Sequence, residues 1–411
     1  MQKNMSNLKI VKNGGVCTAA GFRAAGVPAA IKYEKRKDVA LIVADDPCAA
    51  AAVFTTNQVA AAPVLYDRQV VKSGKVRAIL ANSGCANACT GEAGYHDAEL
   101  SALVTAGELG ISADEVLVAS TGVIGRRLPM DRLMAGMKAA VAALGRTSAH
   151  GLAATQAIMT TDTRPKQACV RTVIAGKTVT VGGMSKGSGM IEPNMATMLG
   201  FITTDAAVTP AMLKRALKIA LAKSFNRLVV DGDESTNDSL FLLASGKAGN
   251  TVISKAGADF DAFQEALDAV CISLARQMAT DGEGATKFVT VTVKGARNER
   301  DAERAARAVA KSPLAKTSWF GRDPNWGRVL AAVGYSGAVV DDQKAEVFYG
   351  REWAYRKGQI ADVKQLEKLA KVLAKDQFTV LVDLHLGDSE ATIYTCDFSL
   401  DYVHINADYT T

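Results

Sequence analysis

Histidine is scarce in this sequence. His96, His150, His385 and His404 are the four present, and none stands in a Ser or Cys nucleophile context or in an HExxH pair. Catalysis by an ordinary Ser–His or Cys–His couple and hydrolysis at a His-bound metal are therefore disfavoured. Long apolar runs are missing too, since none approaches the roughly 20 residues that a membrane helix needs. The seven cysteines follow no zinc pattern: Cys85 and Cys89 have no second Cys or His pair at ligand spacing after them. Buried free thiols in a reducing compartment fit that odd count. Met1 to Ile10 is polar and short, without a signal-peptide apolar core or an Arg/Ser-rich transit pattern. These absences lead us to expect a soluble, cytoplasmic protein without a metal site.

What is present is ample material for burial. The chain has 411 residues, 48% of them hydrophobic, which is enough for two or three packed units. The net charge of +6 is spread along the chain, and the only dense basic run is Lys32 to Lys37, interrupted by Glu34. A solvated loop or strand edge is the preferred reading of that run over a nucleic-acid patch. A modest positive excess also fits an anionic small-molecule substrate.

Apolar runs at Asp38 to Ala44, Val76 to Leu80 and Val116 to Ala119 read as buried strands. Helical spacing covers 97–109 and 131–144, and β-branched residues on either side of Ala175-Gly176-Lys177 read as a hairpin. A strand is expected at Met198 to Thr203, and a helix over 210–222 opens with Pro210. Short strands are expected at Leu228 to Val230 and Leu240 to Ala244, and a long amphipathic helix over 260–278. Strands at 288–293, 378–384 and 390–398 and helices at 303–311 and 364–373 follow. Strands and helices mix throughout, which predicts a layered α/β or α+β protein, with a boundary near Gly284 to Thr286.

One segment is built for unusual chemistry. A glycine-rich loop, Gly182 to Gly189, lacks Walker spacing and runs into the polar turn Ile191 to Ala196, which ends at Thr197 before an apolar strand. If that turn strains the Ala196–Thr197 peptide, the Thr197 hydroxyl attacks the preceding carbonyl, and an N-to-O acyl shift followed by hydrolysis frees a new N-terminal threonine. Its α-amine, with an ordinary pKa of about 7.7–8.0, then serves as general base for its own hydroxyl, without a histidine. Alone, the segment reads far more readily as an ordinary threonine at the start of a strand. Asp231 to Asp238 is acidic enough for a metal, but a hydrogen-bonded turn beside the active centre is the simpler reading.

The run Lys186 to Leu199 resembles the cleavage-site signature of the ornithine acetyltransferase family, the self-cleaving glutamate N-acetyltransferases of the cyclic arginine pathway. Further resemblance lies, in order, at Gly21 to Gly26, Phe54 to Asn57, Asn82 to Gly91 and Ser120 to Gly125. It continues at Met159 to Thr163, Asp231 to Asp238, Asp281 to Lys287, Asp323 to Arg328 and Asn406 to Thr411. Cys85 departs from the polar residue expected in its segment, and no matched catalytic position is lost.

The resemblance implies an N-terminal-nucleophile-like αββα sandwich over 1–285, with a smaller C-terminal α/β domain over 286–411. It implies cleavage between Ala196 and Thr197 into an α chain, 1–196, and a β chain, 197–411, assembled two of each. Thr197 matches the nucleophile, and Thr121 and Gly122 match the oxyanion-hole pair. Thr160, Lys186, Thr197, Glu283, Asn406 and Thr411 match substrate-binding positions, although Thr161 and Thr163 crowd Thr160. The implied substrates are N-acetylornithine and glutamate, with no metal and no cofactor. Acetyl-CoA is an expected further donor that the sequence does not decide. No nucleic-acid or membrane partner is implied. Aminopeptidases and amidases of a related fold self-cleave in the same way, and a non-enzymatic binding protein is the remaining alternative.

Overall fold

The computed structural model describes residues 8–192 and 198–408. Thr197, Ala196 and Thr411 therefore lie outside the described residues. In chain order the first part comprises β1 (Lys9–Ile10), β2 (Phe22–Val27), β3 (Val39–Phe54), α1 (Ala62–Val70), β4 (Lys75–Cys85), α2 (Gly91–Leu109) and β5 (Val116–Val123). Then come α3 (Met130–Ala142), α4 (Ser148–Ala157), β6 (Lys166–Ile174), β7 (Lys177–Lys186), β8 (Leu199–Thr204), α5 (Pro210–Lys223), β9 (Ser239–Ala244) and α6 (Ala258–Thr280). The second part runs through β10 (Phe288–Ala296), α7 (Glu299–Lys311), α8 (Pro313–Phe320), α9 (Trp326–Gly334), β11 (Glu346–Tyr349), β12 (Glu352–Arg356) and β13 (Gln359–Ile360). It ends with α10 (Val363–Leu373), β14 (Gln377–Asp383), β15 (Ser389–Cys396) and α11 (Leu400–Asp408).

β3 turns the first sheet into a sandwich. Its first half pairs with β2 and β4, and its second half, Ala49 to Phe54, pairs with β9. Between the halves the register shifts at Val43/Cys48. The shift spans Pro47, which has no N–H to donate to a ladder. Strands that change sheets at such an irregularity make the corners of packed sheets.

Alternation along the strands then builds three cores. Val39, Leu41 and Val43 face outward with Leu80 and Val118, and pack against Ala98 and Ala102 of α2 and Met137 of α3. Ala40 and Ile42 face inward, meeting Phe201, Phe241 and Leu243 of the other layer. Ile202, Leu240 and Leu242 point the opposite way, under Leu213 and Leu217 of α5 and Phe263, Leu267 and Leu274 of α6. The layers thus run helix, sheet, sheet, helix, as expected.

The second sheet, β13-β12-β11-β14-β10-β15, is mixed, with β10 parallel to β14 and antiparallel to β15. Val291, Val380 and Ile393 pack under Ala305 and Val309 of α7, Trp319 of α8 and Leu369 of α10. Phe288 and Cys396 also join the α6 core, so the two parts share packed surface.

Two local expectations need correction. Leu228 to Val230 is not a strand: Leu228 makes an isolated bridge to Tyr394, and the Val229 and Val230 N–H groups go to separate carbonyls, Tyr394 and Ile191. Burial explains its apolar character without a ladder. Part of the glycine-rich loop is also strand, because Gly182 to Lys186 completes β7 and pairs with β6 and β8. Without a side chain at Gly182, β7 lies directly against the Gly15 backbone.

Candidate active site

The site gathers at the ends of β5 and β7 and the C-terminus of α6. β4 and β5 run parallel, with Ser83 opposite Thr121 and Gly84 opposite Gly122. Gly122 has φ +130°, and a Cβ there would overlap the Gly84 carbonyl carbon, so only glycine fits. Two asparagines fix this turn. Asn82 donates to the Cys85 carbonyl at 2.9 Å and accepts from Ser120 Oγ at 2.7 Å. Asn237 donates to the Ala86 and Ser120 carbonyls at 2.6 and 2.9 Å. Thr121 is buried, and its hydroxyl oxygen accepts from Lys186 Nζ at 3.3 Å. The Thr121 O–H proton is left to donate elsewhere.

Lys186 ends β7 and is 4% exposed, which rules out the reading of a solvated loop lysine. Desolvation lowers its pKa, opposed by the charges of Asp162, Glu283 and Asp238. Below it lies a buried ionic chain. Asp162 accepts from the Thr160 and Gly187 N–H groups at 3.0 and 2.8 Å and from Lys166 Nζ at 2.6 Å. The fully buried Lys166 ammonium reaches Asp281 at 2.5 Å. Asp281 in turn accepts from the N–H and hydroxyl of Thr163, and its carbonyl accepts from Ser188 Oγ at 2.5 Å. Burial works to raise the Asp162 pKa, but Lys186 and Lys166 outweigh it and bring it down to about 2. One ammonium thus ties together the segments that carry Thr160, Lys186 and Glu283.

Glu283 follows directly from α6, whose apolar positions at 260, 263, 267, 270, 274 and 278 give one buried stripe. It is 8% exposed, not a surface turn, and its N–H bonds the Ser188 carbonyl at 2.8 Å. Asn406 of α11 donates to Glu283 Oε2 at 2.8 Å. The C-terminal helix is held in place by Ser399 Oγ on the Gly284 carbonyl at 2.6 Å and by Tyr402 OH on Asp231 at 3.4 Å. Thr411 lies beyond the described residues.

Both flanks of 193–197 are anchored to the acidic turn. The Asp231 carboxylate accepts the Met190 and Ile191 N–H groups at 2.6 and 2.7 Å, and burial pushes its pKa up. Glu192 N–H bonds the Asp233 carbonyl, and its carboxylate pairs with Lys311 and Arg307 of α7. On the other side Asp238 accepts from the Met198 N–H. The Asp231 and Asp238 carboxylates of this turn are thus engaged by backbone donors.

Thr121, Gly122, Lys186, Glu283 and Asn406 are therefore brought together, and Thr160 joins them through its backbone. Thr163 is spent on Asp281, which separates it from Thr160 in role. Sequence reasoning missed Asp162, Lys166, Asp281 and Asn237 as individual residues. Three of them lie inside the quoted motifs, whereas Lys166 carries no local signal. Cys85 donates to the Arg126 carbonyl at 3.3 Å, and burial raises its pKa, so it is a packed thiol. Among the described residues no helix is long and apolar enough to cross a membrane.

The ArgJ family model matches residues 23–411. The arginine biosynthesis bifunctional protein ArgJ of Geobacter sulfurreducens is 52% identical over 391 residues, 95% of this chain and 99% of its own. Its counterpart from Symbiobacterium thermophilum is 52% identical over 400 residues, 97% of this chain and 99% of that one. Among solved structures, ornithine acetyltransferase from Mycobacterium tuberculosis complexed with ornithine is 45% identical. That alignment covers 45% of this chain and 98% of the solved chain, with a TM-score of 0.43.

Proposed function

This chain belongs to the ArgJ family, and from that premise we propose that it is an ornithine acetyltransferase of arginine biosynthesis whose nucleophile is Thr197. Membership favours acetyl transfer over the hydrolysis expected of an aminopeptidase. The Thr197 hydroxyl first attacks the Ala196 carbonyl. The N-to-O shift and hydrolysis then give an α chain, 1–196, and a β chain, 197–411, which assemble two of each in the cytoplasm. In our reading the layered unit spans 1–285 and the second unit 286–411.

In the cleaved enzyme the Thr197 α-amine takes the hydroxyl proton as the oxygen attacks the acetyl carbonyl of N-acetylornithine. The Thr121 hydroxyl and Gly122 N–H donate to the oxyanion. As the tetrahedral adduct collapses, the ornithine α-nitrogen leaves with the proton, and an acetyl ester remains on Thr197. The amine of glutamate then attacks that ester and regenerates the hydroxyl. Lys186 faces the substrate α-carboxylate, while Glu283, steadied by Asn406, faces the ornithine ammonium. Thr160 and Thr411 complete the pocket. Acetyl-CoA serves as a second acyl donor, and no metal or cofactor takes part.

The observation that carries this reading is the buried Lys186 ammonium on the Thr121 oxygen. It provides positive charge and directs the hydroxyl proton away from itself, as an oxyanion donor requires. Intact-mass analysis of wild type and Thr197→Ala tests the reading. Wild type should yield two fragments meeting at Ala196/Thr197, and the variant one unbroken chain. Cleavage that persists in the variant would contradict it.

A further inference from the structure

Donor and acceptor in this reaction differ at one end. Both bring an α-nitrogen and an α-carboxylate, but the ornithine side chain ends in an ammonium and that of glutamate in a carboxylate. A site that meets the ammonium with Glu283 repels the glutamate side chain from the same position. Resting on the transfer reading above, the acceptor therefore needs a second seat for its side chain.

The basic run that the assigned chemistry leaves unused supplies one. A narrow cleft is walled by Lys32, Tyr33, Arg36, Ser83, Gly84 and Thr160. Lys32 packs on Gly84, where a Cβ would come within 2.8 Å of the Lys32 Cβ. Gly84 and Ser83 are the direct strand partners of Gly122 and Thr121, so the cleft opens one strand away from the oxyanion pair. Lys32 Nζ lies 5.3 Å from the Tyr33 ring centroid, and the Arg36 side chain is half-buried at the wall. Asp38 also borders the cleft, but its oxygens accept the Ala29 and Ile31 N–H groups at 2.6 Å each, clasping the basic loop against the sheet.

We propose that this cleft receives the side-chain carboxylate of the acceptor glutamate, with Lys32 and Arg36 as its cations. Two cations face a cleft beside the oxyanion pair, and the shared Thr160 wall keeps the acceptor amine next to the reacting centre. The cleft is then the element that distinguishes acceptor from donor.

Steady-state acetyl transfer by the cleaved wild-type enzyme and a Lys32→Ala/Arg36→Ala variant tests this. The expected result is a KM for glutamate raised about tenfold, with the KM for N-acetylornithine changed less than about twofold. With norvaline, an acceptor without the side-chain carboxylate, the two enzymes should behave alike. A glutamate KM equal to wild type, or an equal rise for norvaline, would overturn the assignment. The ornithine burst without acceptor reports an intact nucleophile. If the double variant loses that burst through misfolding, Lys32→Gln and Arg36→Gln singly carry the same comparison. Wild type that releases ornithine at one rate with and without glutamate would instead sink the transfer reading, and the acceptor cleft with it.

Discussion

The Lys186 ammonium lies 3.3 Å from the Thr121 hydroxyl across 65 residues of sequence, and the contact joins the end of β7 to the end of β5. It couples the two layers of the sandwich. Thr121→Ala should lower kcat by about 10²–10³, the usual effect of one lost oxyanion donor. Because Lys186 acts partly through Thr121, Lys186→Met should cost less in the Thr121→Ala background than in wild type. A double-mutant cycle on kcat/KM for N-acetylornithine checks this, with a coupling of about 0.5–3 kcal/mol expected. Strictly additive losses would contradict the pairing.

Lys166 makes a separate prediction, about stability. Its ammonium is buried between Asp162 and Asp281, so Lys166→Met removes the cation that the two carboxylates share, leaving Asp281 with the more exposed Arg164 at 3.4 Å. Breaking a buried pair from one side typically costs about 3–5 kcal/mol. Urea unfolding should show a loss of that size, and Lys166→Arg a smaller one. An unchanged midpoint for Lys166→Met would refute the network's role.

Asp162 gives that network a pH signature. Its folded pKa of about 2 lies below its usual 3.8, so as pH falls the unfolded chain takes up the proton first. The stabilisation is full above pH 3.8 and disappears as pH falls through about 2. The unfolding free-energy gap between wild type and Asp162→Asn should therefore be constant in the neutral range and narrow through that acid window. A gap independent of pH would contradict the assignment.

Much of this was legible in the sequence where local pattern and tertiary burial agree. The hairpin at Ala175-Gly176 was clear from the β-branched residues that flank it, although nothing in the sequence marks the positive φ of Ala175. α5 announced itself through Pro210 at its opening, and α6 through its long apolar stripe. α1 was not legible: its short run carries Pro63 and a buried Asp67 whose carboxylate accepts the Val118 N–H. α4 escaped because alanines, glycine and threonines give little contrast between faces. In the site, motif likeness found Thr121, Gly122, Lys186, Glu283 and Asn406, but not Lys166. A lysine after Arg164-Pro165 reads as surface, and its burial depends on Asp281, 115 residues away.

Glu283 should separate donor from acceptor. Glu283→Gln removes the anion proposed to face the ornithine ammonium while keeping an acceptor for Asn406 Nδ2. The KM for N-acetylornithine should rise about tenfold. The KM for glutamate should stay level or fall, since a like charge is gone. Initial-rate measurements with each substrate varied decide this, and a parallel rise in both would show that Glu283 has only a structural role.

The central claim is that the acetyl group rests on Thr197 between donor and acceptor. Enzyme incubated with N-acetylornithine alone, quenched in acid and digested, should carry one acetyl on the peptide that begins at Thr197. Added glutamate should remove it. An acetyl found on another residue, or full acetyl exchange by Thr197→Ala, would contradict the account.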